Sequence, residues 1–248
     1  MTGRPIRVLI LGGTAEAREL AQLLDEDDDF AVLSSLAGRV ANPRLPVGQT
    51  RIGGFGGVDG LTAFLSGIDV LVDATHPFAA TISRHAAAAA QRTGTPVFAV
   101  VRPQWSAAPG DRWTRVPTVA AAATELSARR GGTAFLTTGR QDVHAFAALD
   151  AWRFLIRVVD TPAGSLPKRH TLIHDRGPYL IGAETALLRE NAVDVLVTKN
   201  SGGDLVSAKL EAARMLGVEV VMVDRPPRPG VPTEPSAASA HARLRADL

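Results

Sequence analysis

The chain contains no cysteine. This absence excludes disulfide bonds, thiolate-held metal ions, iron–sulfur clusters and cysteine nucleophiles. Lysine is scarce as well: Lys168, Lys199 and Lys209 are the only three, so arginine supplies most of the positive charge. No apolar stretch is long enough to cross a bilayer, and no signal-peptide pattern precedes the first apolar run. We therefore expect a soluble cytoplasmic protein without a membrane partner.

A strong charge of either sign is also missing. The 27 basic and 25 acidic residues give a formal net charge of +2, which offers no support for a nucleic-acid partner. The P-loop, H-E-x-x-H and G-x-S-x-G motifs do not occur. His170 and His174 are four residues apart, but their segment has a strand or loop pattern, so we predict no metal site.

The pattern that is present is an alternation of apolar runs with helical segments, which is typical of parallel sheets covered by helices. The predicted strands are Ile6–Leu11, Phe30–Ser34, Val70–Asp73, Val97–Val101, Ala134–Thr137, Phe154–Val158, Val195–Thr198 and Val218–Val223. The predicted helices are Ala15–Leu24, Val58–Leu65, Ala79–Gln91, Val119–Arg129, Ala183–Glu190 and Leu205–Leu216.

The 248 residues, 46% of them hydrophobic, are enough for one large α/β domain or two small ones. Prolines, glycines and tryptophans interrupt the alternation between Arg102 and Pro117. We therefore predict a first domain at 1–102, a linker at 103–117 and a second domain at 118–248, with a cleft between the domains. We expect the proline-rich segment after Arg225 to lie on the surface and to return toward the first domain. A single elongated doubly wound sheet is the alternative.

The first apolar run leads through Gly12-Gly13-Thr14 directly into a helical segment. A strand joined to a helix by small residues presents free backbone N–H groups and the positive end of the helix dipole to a phosphate. The match to G-x-G-x-x-G is incomplete, because Thr14 occupies the second glycine position and Ala17 the third. The turn favours a dinucleotide site, although Thr14 is also an ordinary helix cap.

Ser34 ends the second predicted strand and Ser35 and Arg39 follow it, where NAD-binding folds carry an acidic residue for the ribose 2′-hydroxyl. Donors and a positive charge at this position suit a 2′-phosphate, so we predict NADP(H) rather than NAD(H). The glycine-rich stretch 53–57 either allows its backbone to approach the cofactor or forms a turn before the next helix.

Polar clusters follow several other strands, and ligands of open α/β sheets bind at the carboxyl ends of strands. His76, after the third predicted strand, is either a turn residue or a group that faces nicotinamide or substrate and donates a proton. Lys199 and Arg140 follow two strands of the second half. Either they are solvated loop residues, or they bind a substrate with several carboxylates.

Taken together, these segments resemble the precorrin-6A reductase family of corrin biosynthesis over nearly the whole chain. The resemblance rests on Gly12-Gly13-Thr14 with Glu16-Ala17, on Ser35-Leu36-Ala37-Gly38-Arg39, and on residues 53–57, 73–79, 138–140 and 199–203. It implies two Rossmann-like α/β domains with mainly parallel sheets and NADPH in the interdomain cleft. It also implies reduction of one double bond of the precorrin-6A macrocycle, giving precorrin-6B, in cobalamin biosynthesis.

The predicted cofactor-binding residues are Gly12, Gly13, Thr14, Ala15, Glu16, Ser35, Arg39, Gly54, Thr75, His76 and Pro77. The predicted substrate-binding residues are Thr138, Gly139, Arg140, Arg176, Lys199, Asn200, Ser201 and Gly202. His76 and Lys199 are the predicted catalytic residues, which would tune the charge that changes when hydride arrives.

Three alternatives remain open on the sequence: a reductase for the cobalt-loaded macrocycle, a non-catalytic NADP(H)-sensing protein, and a reductase for an unrelated acidic substrate. These residues do not separate metal-free from cobalt-loaded substrate, because the metal would belong to the substrate. They do not determine the oligomeric state either, and a monomer is the working expectation.

Overall fold

The computed structural model describes residues 4–38 and 44–246. The chain divides into two compact units, the first comprising Met1–Pro103 with Pro227–Leu248 and the second Gln104–Pro226. Each unit contains one sheet of six strands. Within the described ranges, no helix has the length and apolar character needed to cross a membrane.

The strands are β1 (Ile6–Leu11), β2 (Phe30–Leu36), β3 (Gln49–Ile52), β4 (Val70–Asp73), β5 (Val97–Val100), β6 (Trp113–Val116), β7 (Gly132–Thr137), β8 (Trp152–Val158), β9 (His170–His174), β10 (Val195–Lys199), β11 (Glu219–Val223) and β12 (Thr233–Glu234). The α-helices are α1 (Ala15–Asp25), α2 (Val58–Phe64), α3 (Ala80–Thr93), α4 (Val119–Ser127), α5 (Ile181–Glu190), α6 (Ala208–Leu216) and α7 (Ala237–Ala246). Two short 3₁₀ helices cover Val143–Phe146 and Asp204–Val206.

The sheet of the first unit has the order β3-β2-β1-β4-β5-β12, with every pair of neighbours parallel. This is the strand order of the Rossmann fold. Helices α1 and α7 pack on one face, where Leu20 and Leu244 are buried, and α2 and α3 pack on the other through Leu61 and Ala86. The order places the loops after β4, β1 and β2 side by side at the carboxyl edge of the sheet.

The sheet of the second unit has the order β6-β11-β10-β7-β8-β9 and is again parallel throughout. Its core contains Phe135, Leu155, Leu196 and Met222, all almost fully buried. Because β10 and β7 are neighbours, the loops after Lys199 and Thr137 emerge next to each other.

The two-sheet α/β architecture confirms the predicted fold class, and the alternative of one elongated sheet is wrong. All the predicted strands and helices are present, with small differences at their ends. The predicted strands do not include β3, β6, β9 or β12, which are edge strands of two to five residues, too short to show a clear period. The predicted helices do not include α7 either. The expected cleft between the domains stays a prediction.

The units divide the chain differently from the predicted domains. The predicted linker 103–117 contains β6, which pairs with β11 in the second sheet. The predicted second domain does not extend to residue 248, because the chain from Pro227 onward belongs to the first unit. Thr233–Glu234 pairs with β5, and Ala237 and Ala240 of α7 are buried in the first unit's core. The C-terminal segment belongs to the first unit because the apolar side chains of α7 are buried in that unit's core.

Candidate functional site

The turn between β1 and α1 is held to the neighbouring strand by one hydroxyl. Thr14 caps α1, where its Oγ1 accepts a hydrogen bond from the backbone N–H of Ala17 at 3.1 Å. The same Oγ1 donates to the carbonyl oxygen of Ala74, just after β4, at 2.9 Å. The N-terminus of α1 is therefore fixed against the loop that leads to His76.

This N-terminus presents unused donors. No hydrogen bond within the described residues engages the backbone N–H groups of Gly13, Thr14, Ala15 or Glu16. Gly13 has φ +120°, and a Cβ placed on it would meet no atom within 4 Å, so a ligand can approach the backbone there. Four free donors at the positive end of a helix dipole fit the pyrophosphate of a dinucleotide.

Two arginines that the sequence interpretation missed lie at this edge. Arg102, after β5, donates to the Glu16 carboxylate at 2.8 Å, so the Glu16 side chain is engaged and its backbone N–H remains for a ligand. Arg228, from the returning C-terminal segment, donates to Asp73 at 2.7 Å. Asp73 is buried and also accepts from the Thr75 hydroxyl at 2.6 Å, so the Thr75 side chain points inward.

The end of β2 combines Ser35 with a second residue of β3. Ser35 is buried, and its Oγ accepts a hydrogen bond from Arg51. Arg51 also donates to the carbonyl of Gly54, a predicted cofactor-binding residue. Arg39 lies outside the described residues, so its predicted role in reading a 2′-phosphate stays a prediction.

The loop after β4 exposes His76 and buries Pro77. The Nδ1 atom of His76 accepts from the backbone N–H of Phe78 at 3.2 Å, which in the neutral ring leaves the proton on Nε2. This contact shapes the turn and at the same time orients the ring as a donor. The catalytic role of His76 stays a prediction.

In the second unit the structure brings the Lys199 and Arg140 loops together. The Nζ of Lys199, at the end of β10, contacts Asp142 at 2.5 Å, and Asp142 follows the Thr138-Gly139-Arg140 turn after β7. Arg140 contacts Asp160 at 3.4 Å. Each cation therefore has its own carboxylate partner, and a substrate carboxylate would bind to the cation alongside that partner.

The Thr138-Gly139 turn has free space beside its glycine and a buried hydroxyl without a hydrogen-bond partner among the described residues. A Cβ placed on Gly139 would meet nothing within 4 Å. The Thr138 hydroxyl is buried and has no hydrogen-bond partner in the described part of the chain. Arg176 lies on the loop after β9, two strands from β7 along the same edge of the sheet.

The side chain of Asn200, a predicted substrate-binding residue, is directed into the protein. It is 1% exposed, and its amide forms two hydrogen bonds with the backbone of Trp105, accepting at 2.9 Å and donating at 3.0 Å. Arg225 donates to the carbonyls of Asn200 and Ser201. Buried amide groups form hydrogen bonds within the protein, and those of Asn200 hold its loop in place. Of the next two residues, Ser201 is partly exposed and Gly202 is buried.

A buried ion pair near the same edge was also missed. Arg157 of β8 donates twice to Glu184 of α5, at 2.7 and 3.0 Å, with both side chains almost fully buried. The ring of Tyr179 stacks 4.1 Å from the Arg157 guanidinium, and burial raises the pKa of the Tyr179 hydroxyl. An arginine within an apolar strand was the available signal, because buried arginines need a partner.

Apolar side chains are exposed beside this pair. Leu180 and Ile181 are 76% and 39% exposed at the start of α5, and Val159, directly after β8, is 43% exposed. All three residues follow the carboxyl ends of strands β8 and β9, the edge where open α/β sheets bind ligands. We call Val159, Leu180 and Ile181 the apolar ledge.

A family model described as precorrin-6x reductase CbiJ/CobK matches residues 7–245. The precorrin-6A reductase of Rhodococcus erythropolis is 54% identical over 225 residues, 90% of either chain. A solved structure described as CobK precorrin-6A reductase matches with a TM-score of 0.90 and 41% identity, covering 97% of this chain and 96% of that one. The cobalt-precorrin-6A reductase of Priestia megaterium is 32% identical over 88% of this chain and 90% of its own. The chain belongs to the precorrin-6x reductase (CbiJ/CobK) family.

Proposed function

We propose that this protein reduces one double bond of metal-free precorrin-6A with NADPH and so produces precorrin-6B in cobalamin biosynthesis. The observation that carries the proposal is the family match over residues 7–245, because it spans both units rather than a nucleotide-binding half alone. We place this reaction in the cytoplasm, where NADPH is available.

The first unit would hold the cofactor. The four unused N–H groups at the start of α1 suit the pyrophosphate, and Ser35 at the end of β2 lies where Rossmann folds contact the adenosine ribose. When bound, NADPH supplies the hydride. Hydrogen bonds of Thr14 and Asp73 to the loop after β4 hold that loop next to the start of α1.

The second unit would hold the macrocycle. Its carboxylate arms need cationic partners, and Arg140, Arg176 and Lys199 lie along one sheet edge. Its apolar ring needs an apolar surface, and the apolar ledge offers one on the same edge. Reduction of a double bond also requires a proton, for which Lys199 and His76 are the candidate donors.

The higher sequence identity to proteins named precorrin-6A reductase favours the metal-free substrate over its cobalt-loaded form. The chain is 54% identical to a protein named precorrin-6A reductase and 32% identical to one named cobalt-precorrin-6A reductase. A sensor without catalysis is disfavoured because the second unit carries its own set of cations at the sheet edge.

The test is an anaerobic incubation of the purified protein with NADPH carrying deuterium at the transferable position. Matched reactions contain metal-free or cobalt-loaded precorrin-6A, and a further reaction replaces NADPH with NADH. We expect NADPH oxidation, a macrocycle spectral change and deuterium in the product only with NADPH and metal-free substrate. Turnover with the cobalt-loaded form alone would show that the protein reduces cobalt-precorrin-6A instead. NADPH binding without any turnover would favour the sensor.

A further inference from the structure

Arg51 lies directly beside the ribose end of the candidate cofactor site. In the parallel pairing of β2 with β3, Arg51 is opposite Ser35. Its Nη1 donates to the Ser35 Oγ at 2.9 Å. The guanidinium therefore lies where a dinucleotide fold reads the adenosine 2′-position.

The guanidinium is fixed before any ligand arrives. Its Nη1 donates to the carbonyl of Gly53 at 3.1 Å and its Nη2 to that of Gly54 at 3.2 Å. Its central carbon is 4.0 Å from the ring centroid of Phe55 and 5.0 Å from that of Phe64. A planar cation held by stacking and by two carbonyls loses little conformational entropy when it binds an anion.

Donors remain on this fixed group. A guanidinium has five N–H donors, and the contacts of Arg51 within the described residues use three, both on Nη1 and one on Nη2. The Nε–H and one Nη2–H are left, a pair of donors that suits two oxygens of a phosphate. Since Ser35 accepts from Arg51, its hydroxyl hydrogen is also left to be donated.

The neighbouring backbone leaves room for the anion. Among the residues that the structure describes, a Cβ placed on Gly53 or on Gly54 would meet no atom within 4 Å. The turn whose carbonyls hold Arg51 is therefore not crowded by other described residues at these two positions.

We propose that Arg51, together with Ser35, binds the 2′-phosphate of NADPH and sets the preference of this protein for NADPH over NADH. The inference rests on the proposed function, because it requires that the protein bind NADPH. It assigns to Arg51 the role that the sequence pattern gave to Arg39.

The test measures binding rather than turnover. Calorimetry compares adenosine 2′,5′-bisphosphate with 5′-AMP, two ligands that differ only in the 2′-phosphate, on the whole chain. We expect Arg51→Gln to weaken bisphosphate binding about 10- to 100-fold, the range for losing hydrogen bonds to a charged group, with 5′-AMP binding little changed. Arg51→Lys keeps the positive charge but loses the paired donors of the guanidinium, so its affinity for the bisphosphate should lie between those of the wild type and Arg51→Gln. Arg92→Gln, in an exposed ion pair of the same unit, is the matched control and should leave both affinities unchanged.

Each contrary result has a separate meaning. Equal weakening of both nucleotides by Arg51→Gln would show that the arginine only shapes the Gly53–Gly54 turn, which overturns the inference. An unchanged preference in Arg51→Gln, with the preference lost in Arg39→Ala, overturns it in favour of Arg39. A wild-type protein that binds neither nucleotide would overturn NADPH binding itself, and the inference with it.

Discussion

The ammonium of Lys199 lies 2.5 Å from a carboxylate oxygen of Asp142, which joins the end of β10 to the loop after β7. Lys199 is 17% exposed and Asp142 33%, so the pair is accessible without being fully solvated. The backbone N–H of Asp142 donates to the carbonyl of Gly139, so the ion pair joins Lys199 to the loop that contains the Thr138-Gly139-Arg140 turn. A substrate carboxylate that binds here would be held by a cation already positioned.

We predict that Lys199→Ala lowers kcat/KM for precorrin-6A about 10- to 100-fold, the range for losing a charge-assisted hydrogen bond. NADPH affinity should remain unchanged, because the first unit holds the candidate cofactor residues. Steady-state kinetics and a separate NADPH titration measure the two effects.

Lys168→Ala is the matched control, since Lys168 forms an exposed ion pair with Asp150 in the same unit. It should leave both quantities unchanged. Wild-type kinetics in Lys199→Ala would remove Lys199 from the site. Asp142→Asn should retain the lysine but lose its orientation, and we expect a smaller decrease.

Asn200→Ala tests whether this residue holds its loop or binds substrate. Its amide satisfies two backbone groups of Trp105, so removal should cost about 1–3 kcal/mol of unfolding free energy. Denaturant unfolding measures this cost. Ser201→Ala, at the partly exposed neighbour, should leave stability near the wild-type value and change only the KM for substrate. A stable Asn200→Ala protein with a raised KM would support the prediction that Asn200 binds substrate.

The difference between Thr14 and Asn200 shows what the sequence could reveal. Thr14 acts within its own strand–turn–helix segment, so local spacing was enough to find the helix N-terminus. The role of Asn200 depends on Trp105, which is 95 residues away in the chain, and the contact of Arg228 with Asp73 spans 155 residues. No local periodicity reports such pairs, because they form only after the sheets have assembled.

Glu184→Ala should destabilise the second unit by about 3–5 kcal/mol, because it leaves the buried Arg157 without its counter-ion. The double variant Arg157→Met with Glu184→Leu removes both charges and should recover most of that loss. Urea unfolding of the three proteins measures the effect. A loss in the double variant as large as in Glu184→Ala would mean that packing against Tyr179, not charge, carries the stability.

The ion pair that docks α7 on the first unit should depend on pH. A hydrogen bond from Arg245 holds the pKa of Asp27 below its ordinary value of 3.8, and His241 of the same helix also contacts this carboxylate. A lowered folded-state pKa stabilises the protein above the unfolded value, and this contribution is lost as pH falls through the folded value. The unfolding free energy of the wild type should therefore exceed that of Asp27→Asn above about pH 5, with the gap closing in more acidic solution. Urea unfolding across this range measures the gap, and Asp59→Asn, in an exposed pair on another helix, is the control. A gap that persists at the acid end would show that Asp27 acts through its hydrogen bonds rather than through its charge.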